Sequence, residues 1–350
     1  MTVIVRAGRQ FTTPCGQADP QETVRSGIPC FELPALACLD LMNVAAGETI
    51  DVIDLAAWRT NADEATALRL VESFQRTGFA YVTGHGVPGD TVAGVFDASR
   101  QLFHQDAEAL DALHYRHASN YHGYVPAGVI PGTGSFHEIY DTGMEIATTY
   151  EGPGAFMRRV PNLWPTDLPG FKPAVQRYQV AMRALCDEIL GAISTGLGLP
   201  TDFFTIRCAE PHAQMRLLHY LPRHDAPDDA LSVGRHSDYE AVTILAQDNV
   251  GGLQVCGPDE QWINVPPIEG AFVINAGDML TFWTNGRMPA TPHRVLTPRT
   301  EERYSVAFFY GTSYDVLIEP IGEPMTDEAQ EYAPITTGAY MEKRFTEDGI

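Results

Sequence analysis

His236-Ser237-Asp238 sets an imidazole and a carboxylate two residues apart, and a second imidazole, His293, follows 55 residues after Asp238. Two imidazoles and one carboxylate are the donor set that holds a non-haem Fe(II) on one face, leaving other coordination positions open for oxygen and substrate. Arg303 and Ser305 come next, a forked cation and a hydroxyl with one residue between them. In an extended chain they share a side, and together they suit a carboxylate. A lone His-x-Asp arises easily in a chain with 11 histidines; the third donor and the Arg-x-Ser that follow give it weight.

These side chains need elements to hold them. Residues i and i+2 of a strand point the same way, so His236 and Asp238 can reach one metal from a single extended segment or its end, whereas His293 must return from elsewhere. After Pro211 the pattern becomes short extended runs at 214–220, 241–246, 253–256, 262–265, 271–275, 279–284 and 303–310, with Gly, Pro, Asn or Asp in most gaps. Many short strands at near-regular intervals predict a sandwich or barrel. The first half is helical instead. Asn61 with Glu64 reads as a capping box ahead of Ala67, Leu70, Val71 and Phe74, with Gly78 as the stop. Val92, Val95, Phe96, Leu102 and Phe103 form a second stripe, and Val175, Tyr178, Met182, Leu185, Ile189 and Ile193 a third over 171–197. The expected fold is α+β with a mainly β core, a double-stranded β-helix (jelly roll) buttressed by N-terminal helices.

Gly234-Arg235-His236-Ser237-Asp238-Tyr239, Val250-Gly251-Gly252-Leu253-Gln254-Val255, Pro289-Ala290-Thr291-Pro292-His293-Arg294-Val295 and Arg303-Tyr304-Ser305 together resemble the isopenicillin-N-synthase-like group of Fe(II)/2-oxoglutarate-dependent dioxygenases. Ile50 to Leu55, Gly78-Phe79-Ala80-Tyr81-Val82, Gly84-His85-Gly86-Val87-Pro88, Gly123-Tyr124-Val125-Pro126 and Tyr332-Ala333-Pro334 extend the likeness from about residue 50 to the C-terminus. The resemblance implies that His236, Asp238 and His293 bind Fe(II). It implies that Arg303 and Ser305 bind the far carboxylate of 2-oxoglutarate, with O2 as the other cosubstrate and Arg216 as a further cosubstrate or substrate contact. Decarboxylation of 2-oxoglutarate would then be coupled to oxidation of a small-molecule C–H bond, by hydroxylation, desaturation or ring formation, in specialised metabolism. Counted back from Pro222, Leu221 stands where many members have a tyrosine that contacts 2-oxoglutarate, and Arg216 or Tyr220 is the residue that would compensate. His137 to Asp141 falls where the family's substrate-facing strand begins. An Fe(II) oxidase that does without 2-oxoglutarate is the alternative, since such members also carry Arg-x-Ser. A non-catalytic small-molecule-binding barrel is a more distant one, having no need of iron ligands.

The same reading divides the chain into an N-terminal arm (1–48), a helical, substrate-side region (49–205), the catalytic jelly roll (206–315) and a C-terminal segment (316–350). The arm carries Phe11, Ile28, Phe31, Leu33, Leu36, Leu39 and Met42, too apolar for a solvated tail, with a short helix expected near 35–42. A net charge of -22, from 45 acidic against 23 basic residues, speaks against nucleic acid or anionic membrane as partner. It leaves a small molecule as the expected partner and the oligomeric state open. The 6 cysteines show no zinc-like spacing, and the first ten residues lack the order of a secretory signal. A cytoplasmic location is expected.

Overall fold

The computed structural model describes residues 50–118, 120, 122–128, 136–145, 150–155, 161–322 and 332–348; the expected arm and its short helix lie outside them. The first half supplies strands β1 (Val52–Asp54), β2 (Phe79–Thr83), β3 (Gly123–Val125) and β4 (His137–Gly143). Its helices are α1 (Ala56–Asn61), α2 (Glu64–Thr77), α3 (Gly89–Phe103), α4 (Ala107–Ala112) and the long α5 (Phe171–Gly196). The second half is mostly strand: β5 (Ala213–Tyr220), β6 (Leu231–His236), β7 (Val242–Gln247), β8 (Leu253–Cys256), β9 (Trp262–Asn264), β10 (Phe272–Ala276), β11 (His293–Leu296), β12 (Arg303–Tyr310), β13 (Leu317–Ile318) and β14 (Ile335–Thr336). Two further helices, α6 (Asp278–Trp283) and α7 (Thr337–Asp348), sit among and after them.

Eight strands in the order β1-β2-β10-β7-β12-β5-β4-β3 make the major sheet, and β6-β11-β8-β9 make the minor one. This is the expected jelly roll. One apolar cluster, including Phe79, Tyr81, Leu218, Tyr220, Val255, Val273 and Val295, fills the space between the sheets. A larger one lies on the other face of the major sheet, where Val175, Tyr178, Met182, Leu185 and Ile189 of α5 meet Leu70 and Phe74 of α2. The strand period of two separates these layers within β5: Met215 and Leu217 join the helices, while Leu218 and Tyr220 join the barrel interior.

Three local expectations are corrected. The cap of α2 is Asp63, whose carboxylate accepts from Thr66 N at 2.9 Å and Thr66 Oγ1 at 2.7 Å. Asn61 instead ends the separate helix α1, with Ala62 in the left-handed region at φ 52°. The run at 279–284 is helix, not strand: Gly277 precedes it, and Met279, Leu280 and Trp283 bury one helical face. An apolar run this short fits either period. Helices are therefore not confined to the first half. Gly78 does stop α2 as expected, at φ 69°, and a Cβ there would come within 2.3 Å of Pro289 O. That contact seats the start of β2 under the loop leading to His293. Among the described residues no helix is long and apolar enough to cross a membrane.

Candidate active site

His236 is the last residue of β6, His293 the first of β11, and the two are register partners in the minor sheet. Their ring centres lie 4.2 Å apart. Asp238 follows β6, and its Oδ1 is 3.8 Å from His236 Nε2 and 3.7 Å from His293 Nε2. The three donor atoms all lie within 4.8 Å of one another. An ion about 2 Å from each donor fits after a small inward movement of the side chains.

The surroundings fix which atoms face that point. His236 Nδ1 lies 2.9 Å from Gly234 O and His293 Nδ1 3.2 Å from Thr291 O, so each ring donates there and turns a bare Nε2 to the centre. Asp238 Oδ2 accepts from Thr243 Oγ1 at 2.6 Å and Asn275 Nδ2 at 2.7 Å, which leaves Oδ1 to the imidazoles. Thr243 and Asn275 are register partners on β7 and β10, so one pair of adjacent strands carries both supports. Burial works against ionisation of Asp238, but His293, His236 and these two hydrogen bonds outweigh it and hold the carboxyl below its usual range. Burial also drives the His293 imidazole down to about 4, so it is neutral near pH 7, the form that ligates metal.

Arg303 opens β12 with only 1% of its surface exposed. Its Nη2 donates to Gln247 Oε1 at 3.1 Å and its Nη1 to Ser305 Oγ at 3.4 Å, both neutral groups, and its buried Nε has no hydrogen-bond partner. Among the described residues no carboxylate pairs with it. A buried charge without a counter-ion is strongly unfavourable, so this cation fits a carboxylate brought by a ligand. The Tyr220 ring lies 4.4 Å from the guanidinium, and its hydroxyl is 3.4 Å from Ser305 Oγ.

Of the two residues expected to compensate for Leu221, Tyr220 is the one beside Arg303. It is the register partner of Arg303 and faces the barrel interior. Arg216 is four residues from Tyr220 on the same face, yet it belongs to a different row: it pairs with Ala307, and Asp141 engages its Nε and Nη2, both at 2.8 Å. It is not part of the cradle around Arg303. Gln247, Thr243 and Asn275 were not singled out from sequence. Their signal is a polar residue at an inward position of an otherwise apolar strand, as in Phe272-Val273-Ile274-Asn275-Ala276.

A jelly roll with a two-histidine, one-carboxylate cluster and an uncompensated buried arginine defines the class of non-haem iron oxygenases that take an oxo-acid cosubstrate. Residues 212–312 match the 2OG-Fe(II) oxygenase superfamily, and residues 50–167 match the family described as non-haem dioxygenase in morphine synthesis N-terminal. The chain is 31% identical to homoarginine-6-hydroxylase 2-ODD-C23 of Glycine max, over 78% of this chain and 88% of that protein. It is 32% identical to the 2-oxoglutarate-dependent dioxygenase tropC of Talaromyces stipitatus, over 78% and 90%. Its structure resembles that of a full-length Neurospora crassa protein in complex with alpha-KG and thymine, with a TM-score of 0.75, 29% identity, and 85% of this chain and 96% of that one covered. The chain belongs to the 2OG-Fe(II) oxygenase superfamily and is an Fe(II)/2-oxoglutarate-dependent dioxygenase.

Proposed function

We propose that His236, Asp238 and His293 hold Fe(II), that Arg303, Ser305 and Tyr220 receive the far carboxylate of 2-oxoglutarate, and that the reaction is hydroxylation of a small molecule of specialised metabolism. The observation that carries this reading is the buried Arg303, with neutral neighbours and a free Nε, in a jelly roll that also gathers three side chains able to bind a metal. When bound, Fe(II) with 2-oxoglutarate and O2 supplies the oxidising chemistry for a C–H bond. The residues supply position and charge. Nδ1–H bonds to backbone carbonyls hold both imidazoles in the ligating tautomer, and Thr243 with Asn275 keeps one Asp238 oxygen turned to the centre. Arg303 offers a two-pronged cation where water is excluded, which strengthens its hold on a carboxylate. The names of the relatives, a homoarginine hydroxylase and a protein crystallised with thymine, support hydroxylation of a small polar molecule.

The test is stepwise. His236→Ala, Asp238→Ala and His293→Ala should each abolish Fe(II) binding while the circular dichroism of the fold persists. Arg303→Lys should keep metal affinity and raise the 2-oxoglutarate Kd by roughly 10- to 100-fold, through loss of charge-assisted bonds worth about 1.5–3 kcal/mol. An enzyme that turns over substrate without consuming 2-oxoglutarate would refute the cosubstrate assignment.

A further inference from the structure

One ion pair on the barrel-facing side is used by neither the metal donors nor the Arg303 cradle. Asp141 of β4 and Arg216 of β5 are register partners, and Nε and Nη2 of Arg216 each donate to one Asp141 oxygen at 2.8 Å. Arg216 shares its strand face with Leu218 and Tyr220 of the interior cluster. Asp141 is buried, whereas 34% of the Arg216 side chain remains open, and Nη1 has no partner among the described residues. The guanidinium lies 5.8 Å from the centre of the Phe309 ring. Phe309 is the register partner of Thr243, whose hydroxyl holds Asp238. Phe309 thus stands on the strand between β5, which carries Arg216, and β7, which carries Thr243, and the Asp238 carboxylate acts electrostatically on the guanidinium.

The pair is also held in place. Gln179 Nε2 of α5 donates to Thr142 Oγ1 at 2.9 Å. Asn162 bonds both backbone groups of Gly143, accepting from N at 3.0 Å and donating to O at 2.9 Å. A Cβ on Gly143 would meet His122 Cε1 at 2.7 Å, so this strand end is closely packed. These contacts flank Asp141, and Asp141 in turn sets the plane of the guanidinium. A buried ion pair is weak evidence for stability, because desolvation offsets the attraction, and well-packed apolar residues would serve the core as well.

We infer that Arg216, oriented by Asp141, is a specificity-determining residue that docks the substrate by donating from Nη1 to an uncharged oxygen acceptor, the carbonyl of an amide, lactam or urea. This rests on the dioxygenase reading of the adjacent site. Asp141 already neutralises the cation, and Glu240 adds further negative charge to its surroundings, so a second carboxylate gains little there while a neutral carbonyl keeps its hydrogen bond.

The experiment compares two probes of similar carbon skeleton, δ-valerolactam and valerate, by saturation-transfer NMR on protein loaded with Zn(II) and 2-oxoglutarate. The lactam should bind at least several-fold better than valerate. Arg216→Lys keeps a charge for Asp141 but removes Nη1, and should weaken lactam binding about ten-fold, as expected for loss of a hydrogen bond to a charged donor, with metal and 2-oxoglutarate affinities unchanged. The double variant D141N/R216Q replaces the ion pair by neutral amides and should lose the same lactam binding, which covers the case where the single variant misfolds. Undiminished lactam binding in either variant, or preference for valerate, would overturn the proposal. A wild-type protein that binds neither metal nor 2-oxoglutarate would overturn the reading beneath it.

Discussion

Thr243→Val isolates one bond around the metal cluster. Valine keeps the β-branched shape that suits β7 and removes only the hydroxyl that donates to Asp238 Oδ2 at 2.6 Å. A hydrogen bond to a charged group is worth about 1.5–3 kcal/mol, and this sets a ceiling on what orientation of the carboxylate can contribute to metal binding. That range corresponds to roughly 10- to 100-fold in affinity, the loss typical when a partner of a metal ligand is removed. The second donor, Asn275, remains at 2.7 Å, so Asp238 keeps one fixed contact and the single variant should fall in the lower part of the range. Asn275→Leu should behave alike, and the double variant should exceed either. The assay is an anaerobic Co(II) titration followed by visible absorption, with near-ultraviolet circular dichroism as the check on packing. Wild-type Co(II) affinity in both single variants and in the double variant would refute the claim that these bonds aim the carboxylate.

Tyr220→Phe should raise the 2-oxoglutarate Kd several-fold, in keeping with about 1 kcal/mol for the hydroxyl near Ser305, while Leu221→Tyr should leave it unchanged; anaerobic calorimetry reads both, and the reverse ranking would restore Leu221 as the relevant position. Burial of His137 drives its imidazole from the ordinary 6.5 down to about 4. Between those values the unfolded chain binds more protons than the folded one, so stability is full above pH 6.5 and falls as the pH drops toward 4, by about 3 kcal/mol in all. Urea unfolding of the metal-free protein should show a smaller loss between pH 7 and pH 4 for His137→Phe than for the wild type, and equal losses would dismiss this imidazole as a source.

The clustering of His236, Asp238 and His293 was legible because two of them lie two residues apart and their residue types are chemically restrictive. The barrel was legible because strand and turn residues alternate regularly from β5 onward. Between Arg216 and Tyr220 the sequence left open which replaces the tyrosine absent at Leu221, because strand register, where a single step exchanges one face for the other, decides which residue stands by Arg303. Asp141, Thr243, Asn275 and Gln247 are ordinary polar residues until register brings them beside Arg216, Asp238 or Arg303. Only the pairing of strands far apart in sequence supplies that information. The misread run at 279–284 has a different cause: six apolar-rich residues fit a helical turn or a strand equally, and Gly277 with the buried contacts of Met279 and Trp283 decides the outcome.

β4 belongs to the first half of the chain, yet it is hydrogen-bonded beside β5 in the major sheet. The three proposed metal donors and Arg303, by contrast, all fall between residues 236 and 303. On the reading proposed above, the first half contributes Asp141, which orients Arg216 of the second half, and the two meet only after folding. If Arg216 docks the substrate as inferred, changes at Asp141 would re-aim it without altering His236, Asp238 or His293, so a lineage could explore new substrates while its proposed reactive centre stays constant.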